Sequence, residues 1–129
     1  MELYVDQLMS RPVETIAPTA SLHDAAAAMI SHDVGALVVV DAEGVAGILT
    51  ATDFVQLAME GEPWSDATVA EVMRTEVVTV ERSDPAGSVV DAMLEQLIHH
   101  VPVVDGSEPV GMVTAFDLAA RLGRSLERR

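Results

Sequence analysis

The sequence predicts an α/β (α+β) chain made of two tandem copies of one β-α-β-β-α unit. Three observations lead there. Shifted by 64 positions, the sequence falls on itself: Met9 on Met73, Val13 on Val77, Thr15 on Thr79, Val39-Val40-Asp41 on Val103-Val104-Asp105, Gly47 on Gly111 and Asp53 on Asp117. That register holds from residue 5 to residue 122 without a gap, which chance does not sustain. Within each copy, continuous apolar runs alternate with apolar residues at helical spacing. Half of the 129 residues are hydrophobic, enough for a packed core.

Each copy opens on a short extended run, "VETIA" from residue 13 and "VVTVE" from residue 77. A helix follows. In copy 2, Asp84 is placed to cap it, with Pro85 at its first helical position. Val89, Val90, Met93, Leu94 and Leu97 keep helical spacing there, as Leu22, Ala25, Ala26 and Met29 do in copy 1. The next runs, "ALVVVD" and "HVPVVD", are continuously apolar and suit strands buried on both faces. Turns at "EG" and "GSEP" lead to the returning strands "VAGILT" and "PVGMVT". The last elements are helices, "ATDFVQLAME" and "AFDLAARLGRS". The segment "EGEPWSDAT" joins the copies, with Gly61 and Pro63 as breakers, so the repeats are 1–64 and 65–129. A unit of about 60 residues buries too little surface to stand comfortably alone. The two copies are expected to pack with pseudo-twofold symmetry.

Composition excludes several classes of function. The net charge is −14, with no lysine and only seven arginines. Nucleic acid is excluded as a partner, since phosphate backbones need clustered basic residues. An anionic membrane surface is excluded on the same ground. No apolar run approaches the roughly 20 residues of a membrane span. The start, "MELYVDQLMSRP", has neither the basic nor the apolar region of a signal peptide, so a cytoplasmic location is expected. Without cysteine there is no disulfide framework, thiolate nucleophile or Cys-ligated zinc. The acidity reads as a well-solvated surface, or as adaptation to high salt, for which the absence of lysine is the motive. The sequence holds no Walker loop, no G-x-G-x-x-G and no nucleophile elbow, and its Ser and His residues show no triad spacing. No catalytic residue and no enzyme activity are expected. The methionines fall on apolar faces and read as core packing.

Thr50 and Asp53 in "GILTATDF", and Thr114 and Asp117 in "GMVTAFDL", occupy equivalent places at a strand end and helix start. One reading is a capping box, in which the acid reaches back to the start of its helix. The other is a nucleotide site. Free N–H groups at a helix start suit phosphate, and a carboxylate one turn in can accept both hydroxyls of a ribose. The two readings are compatible.

The duplicated unit, the "PVVD" of its second strand and the "GILTATD" and "GMVTAFD" of its last resemble a tandem pair of CBS domains, the Bateman module named after cystathionine β-synthase. The resemblance covers about residues 5 to 124, nearly the whole chain. It implies a module with two clefts between the repeats that takes adenosine-containing ligands: AMP, ADP, ATP or S-adenosylmethionine. It also implies dimerisation through helices, no chemistry of the module's own, and a sensing role read by a partner protein that the sequence does not name. Carried over residue by residue, the first cleft would combine Thr50, Thr52 and Asp53 with Val78, His99, His100 and Pro102. The second would combine Thr114 and Asp117 with Glu14, Gly35 and Ala36. No cofactor is required and no metal is expected. Adjacent histidines suggest a metal ligand pair, but no nearby Cys or spaced acid supports one.

On that reading His99 and His100 stand where related modules place basic residues against phosphate. The alternative is that one packs at the strand start and the other faces water. A histidine beside phosphate loses affinity for it as pH rises from about 6 to 8, because its ordinary pKa is about 6.5. In the second cleft Gly35-Ala36 replace the histidine pair, Phe116 replaces Thr52, and Glu14 adds negative charge. That cleft is expected to prefer a nucleoside or weakly charged ligand, or to stay empty. Arg11 and Arg74 precede the first strands and are the cations nearest the two clefts. The expected reading is a stand-alone pair, forming a homodimer, that binds an adenine nucleotide and passes its bound state to another protein by population shift. S-adenosylmethionine binding and a ligand-free dimeric scaffold are its alternatives.

Overall fold

A computed structural model describes residues 3–61, 64 and 66–127, with side chains as far as Arg124. Pro63, expected as a breaker between the repeats, lies outside the described residues. The strands are β1 (Thr15–Ile16), β2 (Ala36–Asp41), β3 (Gly44–Thr50), β4 (Val80–Glu81), β5 (His100–Asp105) and β6 (Glu108–Thr114). They form two three-stranded sheets of the same order, β1-β2-β3 and β4-β5-β6. In each, the first strand runs parallel to the second and the second antiparallel to the third. Both hairpins shift register at the same place, between Val39 and Val40 and between Val103 and Val104.

The helices are α1 (Leu22–His32), α2 (Ala51–Glu60), α3 (Val69–Val72), α4 (Gly87–Gln96) and α5 (Ala115–Glu127), with a 3-10 turn at Val5–Gln7. The short helix α3 and the 3-10 turn were not expected. They occupy equivalent positions, each ahead of its copy's first strand. Their signal is the repeated spacing of Val5 with Met9 and of Val69 with Met73. The Ser21 hydroxyl caps α1 by accepting the Asp24 N–H at 3.0 Å. The expected cap of α4 is not formed. Asp84 instead accepts the Glu81 N–H at 2.9 Å and so closes the turn after β4. The chain then passes through Pro85 and Ala86, whose carbonyls accept the Ser88 and Val89 N–H groups at 3.0 and 3.1 Å, and α4 begins at Gly87. Gly61 ends α2 at φ 76°, a left-handed position that glycine adopts without strain.

The chain divides into two compact units, 14–77 and 1–13 with 78–129. These cuts differ from the sequence halves 1–64 and 65–129. The opening segment of each copy sits in the same unit as the sheet of the other copy. In the unit 14–77, α1 lays Leu22, Ala25 and Met29 against Leu37, Val39 and Leu49 of the sheet, and Val69 of α3 completes the core. In the other unit, Val89 and Met93 of α4 pack with Val101, Val103 and Val113, and Val5 and Met9 come from the 3-10 segment. Residues 36–39 of β2 and 101–104 of β5 are all buried, so the continuous apolar runs do mark strands covered on both faces. The helical stripes are wider than the core faces they supply. Leu94 and Leu97 are exposed although they continue the stripe of α4. Trp64 packs edge-to-face on Phe54, with ring centroids 5.6 Å apart, as a packing anchor.

Each opening segment is held by the same device. Ile48 and Arg74 exchange two backbone hydrogen bonds of 2.9 Å, and Ser10 and Met112 exchange bonds of 2.8 and 3.1 Å. The approach is so close that the third strand needs a glycine beside it. A Cβ on Gly47 would lie 2.7 Å from the Arg74 carbonyl oxygen and 2.7 Å from Met73 Sδ. On Gly111 its three nearest atoms would all belong to the Met9 side chain, with Sδ at 2.5 Å. Overpacking of this kind costs about 1–3 kcal/mol. Gly47→Ala is expected at the upper end, because backbone blocks it, and Gly111→Ala at the lower end, because a flexible methionine can move. Gly87→Ala, whose Cβ meets nothing within 4 Å, is expected to be neutral or slightly stabilising. Urea denaturation of the three variants checks the order.

Candidate functional site

Both Thr-x-x-Asp motifs fold as the sequence suggests, at the junction of a third strand with its helix. At α5 the capping is reciprocal. Asp117 Oδ2 accepts the Thr114 N–H at 2.8 Å, and Thr114 Oγ1 accepts the Asp117 N–H at 3.1 Å. At α2, Asp53 Oδ2 accepts the Thr50 N–H at 2.9 Å and the Thr50 hydroxyl at 3.3 Å. The turn before each second strand is tied to the same helix start. The Gly35 carbonyl accepts the Ala51 N–H at 2.9 Å, and the His99 carbonyl accepts the Ala115 N–H at 3.0 Å.

These bonds decide which predicted residues share a unit. Thr50, Thr52 and Asp53 lie in the unit 14–77 with Glu14, Gly35 and Ala36, and Ala36 pairs with Thr50 across the hairpin. Thr114 and Asp117 lie in the other unit with Val78, His99, His100 and Pro102, and His100 pairs with Thr114. Thr52 is exposed, and so is Phe116 at the equivalent place. Pro102 is fully buried within β5, and Val78 is half-buried ahead of β4.

The second oxygen of each carboxylate meets a residue from the opening segment of the other copy. Asp53 Oδ1 accepts the Arg74 Nε–H at 3.2 Å. Asp117 Oδ1 accepts the Ser10 hydroxyl at 3.3 Å. Ser10 and Arg74 are equivalent in the repeat, so one motif is closed by a neutral group and the other by a cation. Sequence reading placed Arg74 near a motif without its direction and missed Ser10. Arg11, the other cation considered, instead donates from Nη2 to the Asp6 carbonyl at 3.2 Å.

Two further contacts alter the expected electrostatics. His32 Nε2 lies 3.6 Å from Glu14 Oε2, a neighbour that the sequence did not reveal and that pairs with the Glu14 charge only when the imidazole is protonated. The half-buried imidazole of His100 is held below its ordinary pKa of 6.5 by burial first and by His99 second, while Asp117 pulls it back up. The phosphate dependence expected between pH 6 and 8 therefore moves to lower pH for His100. Among the described residues no cluster of three His, Cys, Asp or Glu side chains is arranged to hold a metal.

The lowered pKa sets a sign for stability. The unfolded chain takes up the His100 proton first as pH falls, so folding loses stability below about pH 6.5 and has it in full above. His100→Gln is expected to flatten the acid side of the stability profile, as read by denaturation between pH 5 and 7.5. Asp53→Ala removes a buried carboxylate and leaves the half-buried Thr50 N–H without its acceptor, and it is expected to cost about 1–3 kcal/mol. Asp117→Ala, at a more open position, is expected to cost less in the same titration.

Comparison with known proteins agrees with this architecture. The family model for the CBS domain matches residues 5–60 and again 69–124. The CBS domain-containing protein YhcV of Bacillus subtilis is 34% identical over 118 residues, covering 89% of this chain and 82% of its own. A homoserine O-acetyltransferase of Methanocorpusculum labreanum is 35% identical over 117 residues, 89% of this chain but 23% of that enzyme. The solved CBS domain pair of protein MJ0100, in complex with 5'-methylthioadenosine and S-adenosyl-L-methionine, superposes with a TM-score of 0.89 at 28% identity, over 97% of this chain and 99% of that one.

Proposed function

Because the chain belongs to the CBS-domain family as a tandem pair, a regulatory ligand-binding module, we propose that it senses an adenosine-containing nucleotide through its two Thr-x-x-Asp motifs and signals the bound state to a partner protein. One observation carries this reading. Each carboxylate is anchored through Oδ2 to its own strand-end N–H, while Oδ1 meets a single outer donor. A carboxylate oxygen has room for further donors, so a ribose diol can be accepted without breaking the cap. The proposed contacts are those named from the sequence: Thr50, Thr52, Asp53, Val78, His99, His100 and Pro102 for one ligand, and Glu14, Gly35, Ala36, Thr114 and Asp117 for the other.

S-adenosylmethionine is the second reading. It is supported by the ligands of the MJ0100 pair and by the net charge of −14, which suits a cationic sulfonium. Self-association is supported by exposed apolar side chains on two helices, with Leu94 at 71%, Phe116 at 79% and Leu122 at 60% exposure. Among the described residues no helix is long and apolar enough to cross a membrane.

The test is thermal melting with AMP, ADP, ATP and S-adenosylmethionine, at low and molar salt. A ligand at a hundred times its Kd stabilises by about 2.7 kcal/mol, which raises the Tm of a chain this size by a few degrees. Asp53→Ala or Asp117→Ala is expected to abolish the shift for the ligand each one holds. No shift with any ligand at either salt would turn the reading to a protein-interaction scaffold.

A further inference from the structure

We propose that Arg74 is a preset phosphoryl-binding group that makes the Asp53 motif selective for phosphorylated ligands, while Ser10 leaves the Asp117 motif indifferent to phosphate. The proposal rests on the reading of Asp53 as a ribose acceptor and adds what the rest of that ligand must carry.

The geometry is that of a pinned guanidinium. The backbone of Arg74 is held by its two hydrogen bonds of 2.9 Å to Ile48. Its side chain is held at the other end, where Nε donates to Asp53 Oδ1 at 3.2 Å. Asp53 is itself fixed by the Thr50 N–H and hydroxyl, and its side chain is only 9% exposed. A guanidinium carries five N–H donors, and this bond spends one. The two terminal amines make no hydrogen bond among the described residues, and the side chain as a whole is 53% exposed. Four donors in a planar fork, on a half-exposed side chain pinned through Nε, match the oxygens of a phosphoryl group. Little ordering cost remains when the anion arrives.

Charge makes the effect selective. The chain carries −14 and no lysine, so an anion finds few alternative cations. At the equivalent place the second motif has Ser10, whose hydroxyl donates to Asp117 Oδ1 at 3.3 Å and offers a phosphate no charge. A neutral nucleoside gains nothing from Arg74, whereas a nucleotide gains a charge-assisted contact.

Calorimetric titration of the whole chain with adenosine, AMP and inorganic pyrophosphate tests this, in wild type, Arg74→Ser and Arg74→Lys. Arg74→Ser gives copy 2 the residue that copy 1 already has. AMP affinity is expected to fall about tenfold or more, the loss of one charge-assisted hydrogen bond, with adenosine affinity changing less than about twofold. Arg74→Lys, which keeps the charge and loses the fork, is expected to fall between, and it serves as the measurement if Arg74→Ser does not fold. Equal losses for AMP and adenosine, or no loss for AMP, would overturn the proposal. If neither AMP nor adenosine binds wild type, the ribose reading fails, and pyrophosphate alone decides. Binding that Arg74→Ser abolishes supports an anion site for free phosphates, and no pyrophosphate binding overturns it.

Discussion

Two pairs of backbone hydrogen bonds, Ile48 with Arg74 and Ser10 with Met112, close the compact units, and the rest of the structure depends on them. Each lies along a third strand beside a glycine, because only a residue without Cβ lets the second chain segment come so near. The segment that closes a unit belongs in sequence to the other repeat. Neither repeat can complete its own core, since Val69 is needed by the sheet of copy 1, and Val5 and Met9 by the sheet of copy 2. The duplication is thus physical as well as genetic: half-units exchange their heads. The cost falls on folding, because Ser10 must find Met112 across most of the chain before that core is closed, and such distant contacts slow folding.

The same exchange brings chemistry to the motifs. An acidic side chain at the first turn of a helix has a local reason to be there, as an acceptor for the N–H of the residue that precedes the helix. That role uses one oxygen. The other is left for whatever the closing segment delivers, which is a guanidinium at Asp53 and a hydroxyl at Asp117. Two motifs nearly identical in sequence therefore differ in electrostatics for a reason lying outside both. Capping and the contact to the closing segment do not compete, because they act on different oxygens of one carboxylate.

The histidine pair follows the same logic. His99 contributes its carbonyl to the start of α5, a backbone role that any residue could fill. His100 begins β5 half-buried, where burial first and His99 second keep it less protonated than a free histidine, against the opposing pull of Asp117. Arg74, by contrast, is a permanent cation whatever the pH. A half-buried imidazole responds to pH instead.

Most of the architecture was legible in the sequence. The repeat is visible in identities such as Val39-Val40-Asp41 and Val103-Val104-Asp105. The buried strands show as unbroken apolar runs, because a strand covered on both faces has no polar side. The helix starts at Thr50 and Thr114 are marked by local bonding that a four-residue motif contains in full. Short-range rules misled at Asp84, where a turn outcompeted a cap for the same carboxylate, and at Leu94, where apolar spacing continued past the core. They could not reach Arg74, Ser10 or His32, whose partners lie 21, 107 and 18 positions away along the chain. By itself the sequence determined which segments become strands and helices, and that two carboxylates stand at equivalent helix starts, because those choices rest on periodicity and on bonds within one turn. Only the tertiary structure decided which donor meets which carboxylate, a guanidinium at one and a hydroxyl at the other, because that depends on a segment of one repeat docking against a glycine of the other.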